Sequence, residues 1–202
     1  TNLTDAEQEC KQIVFSSPLM PRIVAATSVH WQAYGIIARM SLSDALKKDL
    51  FEYSGVAEAL SRGLQTDVEF IHDYCIITIA HTCGNATLDH VFDHALFPEL
   101  VAGIINTFCT HGLGNPFKGG CFVLKRLANS DERSKQLLLA YPDLVTSVKA
   151  VIQDVVETED NKLVLAWARE LLARFNDKMR LACAEESRKD KEKLLNAAEQ
   201  EI

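Results

Sequence analysis

The chain has 202 residues, of which 48% are apolar and 24% charged, and its 21 Lys and Arg against 28 Asp and Glu give a formal net charge of −7. Only nine Gly and five Pro residues are present, too few for the closely spaced turns of an all-β sandwich or barrel. The apolar fraction excludes a disordered chain, and the acidic balance argues against a nucleic-acid partner.

Localisation and thiol state follow from the same composition. No apolar run reaches the ~18 residues of a spanning helix, and the first residues lack the basic and then apolar order of a signal peptide. We therefore expect a cytoplasmic protein without a membrane span. Because a chain of this length builds a core without disulfides, we expect buried thiols at the cysteines. These are Cys10, Cys75, Cys83, Cys109, Cys121 and Cys183.

Apolar residues recur at helical spacing along almost the whole chain. In chain order, a short apolar and aromatic stretch, a second helix and a longer amphipathic third helix follow one another four times. The short stretches are Ile13-Val14-Phe15, Leu50-Phe51, Val91-Phe92 with Leu96, and Leu137-Leu138-Leu139. The second helices begin near Pro21, Ala57, Pro98 and Pro142. The third helices are predicted at 31–41, 68–83, 117–129 and 161–175.

The four Pro or Ala positions are spaced by 36, 41 and 44 residues. This spacing is typical of two-helix or three-helix repeats, in which no unit buries its apolar stripe alone and stacking creates one core. An irregular helical bundle whose helices merely share a period is the alternative.

The segment Asn115–Val145 reads NPFKGGCFVLKRLANSDERSKQLLLAYPDLV, with a long helix ending in Leu-Ala, a polar loop containing Asp-Glu and the start of a further unit. A second copy runs from Ile79 to Asn85 and continues at Val91 and Leu100-Val101. This pattern resembles the armadillo repeat, with HEAT-type repeats as close alternatives.

The resemblance covers roughly residues 10–176 and implies a right-handed α-solenoid of about four armadillo/HEAT-like repeats, with a repeat domain over residues 1–176. It also implies a non-catalytic scaffold or adaptor without cofactors, which binds a protein or peptide in the groove of its third helices. The oligomeric state stays open.

In the armadillo family, an Asn near the end of each third helix and a Trp one turn earlier hold the ligand. The Asn-equivalent positions here are Arg39, His81, Arg126 and Glu170. The Trp-equivalent positions are Gly35, Ile77, Phe122 and Ala166, so neither ladder is present. The groove is instead expected to display Gln32, Arg39, Tyr74, His81, Phe122, Arg126, Trp167 and Glu170. Aromatic and Arg side chains are common anchors of interfaces; the alternative is that the aromatics belong to the core and the charges are only solvated.

Two sets of residues could in principle hold a metal ion, and neither is expected to do so. Zinc ligands would first be sought at His90, His94 and His111, but no Cys-x-x-Cys accompanies them. The order of His30, the doublet His72-Asp73 and Asp143 resembles that of all-helical metal-dependent phosphohydrolases, in which a divalent cation activates water. This enzyme is the alternative function.

Two further segments have structural interpretations. Gly112–Gly120 lacks the Gly-Lys-Ser/Thr of a phosphate loop and is interpreted as a turn between a second and a third helix, where adjacent Gly residues permit close helix approach. Residues 177–202 contain thirteen charged positions and are predicted to form a charged helix that caps the last repeat or binds a partner.

Overall fold

The computed structural model describes residues 3–83, 91, 93–111, 115–128, 132, 136–137, 140–153, 155–159 and 161–176. Within these ranges the regular structure is α-helical and contains no strand, which confirms the all-α fold class. The helices are α1 Leu3–Phe15, α2 Leu19–Ala26, α3 Trp31–Met40, α4 Lys47–Glu52, α5 Val56–Gly63, α6 Glu69–Thr82, α7 Phe97–His111, α8 Asn115–Leu127, α9 Leu144–Ile152 and α10, residues 162–176. The predicted charged helix at 177–202 lies outside the described residues.

The starts of the second helices follow from local sequence. Pro21 and Pro98 lie in the first turns of α2 and α7, where the missing N–H of proline loses no helical hydrogen bond. Ala57 is the second residue of α5, and Pro142 precedes the start of α9 by two residues. The four predicted third helices coincide with α3, α6, α8 and α10 to within two residues at either end.

Helices α3 and α6 lie side by side and run in the same direction. At their starts, the rings of Trp31 and Phe70 are 6.0 Å apart. At their ends, Ser41 Oγ and His81 Nδ1 are 3.1 Å apart. Because the two contacts join residues 39 and 40 positions apart in sequence, the helices are parallel and in register.

Helices α6 and α8 repeat this arrangement. A Cβ at Gly119 would lie 2.4 Å from Ile76 Cγ2, and Arg126 Nη1 donates a hydrogen bond of 2.8 Å to the Cys83 carbonyl. Both contacts join residues 43 positions apart, so these helices are also parallel.

The second helices pack in a similar way. Helix α7 contacts both α5 and α9, and the Tyr141 hydroxyl donates a 2.6 Å hydrogen bond to the Pro98 carbonyl. The core is formed by large side chains that these elements bury completely, including Met20, Ile37, Leu50, Leu60, Ile76, Leu100, Phe108, Phe117 and Phe175.

The interpretation of Gly119 and Gly120 as part of a turn is wrong, because both lie inside α8. A Cβ at Gly120 would lie 2.4 Å from the ring of Phe108 on α7, just as one at Gly119 would meet Ile76. Close approach of neighbouring helices therefore requires glycine on two adjacent sides of α8. Residues 112–114 lie outside the described residues.

The prediction of buried thiols holds for Cys75, Cys83 and Cys121, which are reduced and buried. Burial raises the pKa of Cys83 and Cys121 to about 12, so these thiols stay protonated at neutral pH. The prediction is wrong for Cys10, which is exposed on α1. The side chains of Cys109 and Cys183 are outside the described part.

Among the helices described here, none combines the length and the apolar character needed to cross a membrane.

Candidate functional site

The third-helix face consists of the exposed and half-buried residues of α3, α6, α8 and α10. Each of the eight predicted groove residues lies on one of these helices, and none of them is buried. Gln32, Arg39 and Glu170 are exposed. The half-buried members are Tyr74, His81, Phe122, Arg126 and Trp167. Trp167 packs partly against the core, so the interpretations as core and as surface both apply to it.

One end of this face carries an aromatic patch, formed by Trp31, Phe70, Tyr74 and Ile77. Trp31 is 46% exposed, Phe70 60% and Ile77 40%. The rings of Trp31 and Tyr74 stack at 6.3 Å with an interplanar angle of 2°. These large apolar groups lie together on the surface instead of in the core, an arrangement that marks interaction sites.

Sequence reasoning missed Trp31 and Phe70 as surface residues. A signal was present, because Phe70, Tyr74 and Ile77 are spaced by four and three residues on one side of α6. The opposite side of α6 is apolar as well, with Ile76 and Ile79 in the core. A helix that is apolar on two sides has more apolar surface than one core contact can cover.

The other end of the face carries basic residues that we call the basic cluster: Lys125, Arg126 and Arg174 near Glu170, with Lys118 about two helical turns earlier on α8. Lys125 Nζ lies 2.5 Å from a Glu170 carboxylate oxygen, and Arg174 Nη2 lies 3.5 Å from the other. The hydrogen bond from Lys125 is the main reason that the pKa of Glu170 is below its usual value. One carboxylate is thus shared between two of the four cations.

A ring contact links α8 to α10 at the same end. Phe122 and Trp167 have ring centroids 5.6 Å apart, and the Arg126 guanidinium lies over the Phe122 ring at 4.6 Å. Such a cation–π contact fixes the orientation of Arg126.

A polar side chain near the end of each later third helix binds the end of the preceding one. The contacts are His81 with Ser41 at 3.1 Å, Arg126 with the Cys83 carbonyl at 2.8 Å, and Arg174 with the Ala128 carbonyl at 3.3 Å. For the two arginines this arrangement follows a general preference, because cations are favoured at helix C-termini, where carbonyl groups lack helical partners. His81 and Arg126, two of the Asn-equivalent positions, therefore bind neighbouring helices of their own chain.

The tautomer of His81 follows from its neighbours. The Ser41 hydroxyl donates a 2.7 Å hydrogen bond to the Ala38 carbonyl, so its oxygen accepts one from Nδ1–H of His81. Burial is the main cause that lowers the pKa of His81, and the charges of Lys47 and Arg126 lower it further. The neutral ring is the form that fits this position.

The third helices are basic in an acidic chain. Helices α3, α6, α8 and α10 contain seven Lys and Arg and three Asp and Glu residues, a net charge of +4 against −7 for the whole chain. In α10, Lys162 and Arg169 form ion pairs with Glu159 and Glu157 of the preceding segment. The basic cluster lies outside these pairs and keeps a net charge of +3 with Glu170 included.

The residues of the phosphohydrolase hypothesis differ in how deeply they are buried. His72 is buried inside α6, whereas His30 and Asp143 are exposed at the starts of α3 and α9. Among the described residues, no three His, Cys, Asp or Glu side chains are grouped so that they could hold a metal ion. The hypothesis thus gains no metal site from this part of the chain.

Of the histidines considered for zinc, the structure describes the side chain of His94. Its Nδ1 accepts a 3.1 Å hydrogen bond from the Leu96 amide, and its ring packs edge-on against Phe51 at 5.3 Å. His94 therefore stabilises the turn before α7. The side chains of His90 and His111 lie outside the described part.

Comparisons of the chain with models of protein families, with curated proteins and with solved structures found no match.

Proposed function

We propose that this chain is a protein–protein interaction module, a scaffold or adaptor built as an α-solenoid of armadillo/HEAT-like units, whose third-helix face binds another protein. The parallel packing of α3, α6, α8 and α10 supports the solenoid. Their inter-helix contacts join residues 39 to 46 positions apart, which is close to the spacing of the second-helix starts.

The observation that carries the binding function is the exposure of Trp31 and Phe70 beside each other on this face. Burying large aromatic side chains provides much of the binding energy at protein interfaces, and Arg is a frequent second anchor. The third-helix face contains both kinds of anchor, since Arg39 is exposed on α3.

Photo-crosslinking in the native cell tests this proposal. A photoreactive amino acid replaces Gln32, which is exposed on the third-helix face, or Lys149, which is exposed on α9. We expect a discrete cross-linked protein from position 32 and none of the same mass from position 149. Identical products from both positions, or none from position 32, would contradict the proposal.

A further inference from the structure

The third-helix face is divided by charge, and this division bears on the partner. Its aromatic patch lies on α3 and α6, which together carry two acidic residues, Glu69 and Asp73, and a single Lys or Arg, Arg39. Helix α8 carries Lys118, Lys125 and Arg126 and no acidic residue. An apolar surface therefore adjoins a basic one.

From this division we infer that the partner presents an acidic peptide segment with one large apolar residue, which binds across α6, α8 and α10; this inference rests on the proposed function. The apolar residue packs on the aromatic patch, where Phe70 is 60% exposed. The carboxylates lie against the basic cluster, whose excess of positive charge is not neutralised within the cluster. Opposite charges at an interface favour association and select among partners.

The helix spacing sets the distance between the two parts of the segment. Packed helices lie about 8–10 Å apart, and an extended chain covers about 3.3–3.6 Å per residue. A side chain of α8 beside the aromatic patch, such as Lys118 next to the contact of Gly119 with Ile76, is thus about three residues from an anchor on α6, whereas Arg174 near the end of α10 is at least about five residues away. Acidic residues are expected roughly three to five positions from the apolar one.

Lys118, and not Arg126, is the residue of the basic cluster that we expect to bind the acidic segment. Arg126 already donates to the Cys83 carbonyl and lies over Phe122, so Lys118, which is exposed one helical turn before Phe122, is the cation best placed to meet a carboxylate. Charge reversal at Lys118 changes the electrostatics of the face without removing a contact between helices.

The test is selection of random displayed peptides of about twelve residues, long enough when extended to cross these helices, on the immobilised full chain. We expect enriched peptides to combine a large apolar residue with Asp or Glu at the stated spacing. One synthetic peptide from the selection is then titrated against the wild type and four variants.

Phe70→Ser and Lys118→Glu should each weaken the binding of that peptide about tenfold, a change of about 1.4 kcal/mol. The matched controls are Ile13→Ser, which removes a side chain 68% exposed on α1, and Lys149→Glu, which reverses an exposed charge on α9. Both should bind like the wild type. Added salt should weaken wild-type binding more than binding by Lys118→Glu, because salt screens exposed charges.

The two proposals fail in different ways. If the enriched peptides were neutral or basic and bound Phe70→Ser more weakly than the wild type, the inference of an acidic segment would be wrong. The third-helix face would still be the binding surface. Enriched peptides that bind all four variants as they bind the wild type would overturn both proposals, as would a selection that enriches none.

Discussion

A single methyl group at position 119 would disturb the packing of α8 against α6. The Cβ would lie 2.4 Å from Cγ2 of Ile76, a buried side chain that is branched at Cβ and has little rotational freedom. We expect Gly119→Ala to lower the free energy of unfolding by about 1–3 kcal/mol, although Ala favours helix over Gly. Urea unfolding followed by circular dichroism measures the change.

Gly35→Ala is the matched control for that variant. A Cβ at Gly35 on α3 would lie 3.3 Å from the ring of Tyr74, which is half-buried and has room to shift. The free energy of unfolding should change by less than about 1 kcal/mol, because the gain in helix propensity offsets a mild contact. Equal stability of the two variants would show that α8 does not need glycine at position 119.

His81 should make the protein less stable in acid. Since the pKa of its folded-state ring lies below the usual value, the unfolded chain binds more protons as the pH falls below about 6.5, and the free energy of unfolding decreases. In His81→Asn, the amide can still donate to Ser41 but takes up no proton. The melting temperature of this variant should fall less than that of the wild type between about pH 7 and pH 5.

His30→Asn controls for the general effect of losing an imidazole, because His30 is exposed at the start of α3. Its melting temperature should follow the wild-type dependence on pH. If the melting temperature of His81→Asn depended on pH as strongly as that of the wild type, His81 would not contribute to the acid sensitivity.

At the scale of the helices, Arg126 on α8 links this helix to the end of α6. It supplies a charged hydrogen bond to the Cys83 carbonyl and a cation–π contact with Phe122. Replacing it in Arg126→Met keeps much of the side-chain length and removes both contacts. We expect a loss of about 1–3 kcal/mol in the free energy of unfolding, measured by urea denaturation.

Arg169→Met provides the comparison for Arg126→Met. Arg169 forms an exposed ion pair of 2.6 Å with Glu157, and exposed pairs contribute about 0–1 kcal/mol. If the two variants lost equal stability, the Arg126 contacts would have no special role in joining the helices.

The helix positions could be predicted because their determinants are local. Apolar residues three and four positions apart define each helix, and Pro21 and Pro98 mark the starts of two of them. The need for glycine at position 119 could not be predicted in this way. This need comes from Ile76, 43 positions earlier, and depends on how closely two helices pack.

The candidate site was only partly predictable for the same reason, namely that contacts between distant residues are not visible in local sequence. The sequence predicted surface positions for His81 and Arg126, and both are half-buried on the third-helix face. Their hydrogen bonds to Ser41 and Cys83 depend on the register between neighbouring helices, which no local pattern contains. The basic residues of α8 are visible in the sequence. That they adjoin the aromatic patch on one surface follows only from the packing of the third helices.

At the scale of the whole molecule, the third helices pack in the order in which they follow one another in the chain, α3 on α6, α6 on α8 and α8 on α10. Helix α6 packs against both α3 and α8, whereas the main contacts of α1 are with α2. In a stack where each unit contacts only its neighbours, terminal elements open more easily than central ones. Stability should therefore rise from α1 towards α6.

Native-state hydrogen exchange measures this gradient. We expect the amides of α6 to exchange most slowly, because their opening disrupts packing on two sides, and those of α1 to exchange much faster under the same conditions. Low concentrations of urea should accelerate exchange in α1 before α6. If α1 and α6 instead exchanged with one common free energy of opening, the chain would unfold as a single cooperative bundle, and the proposed stack of units would be wrong.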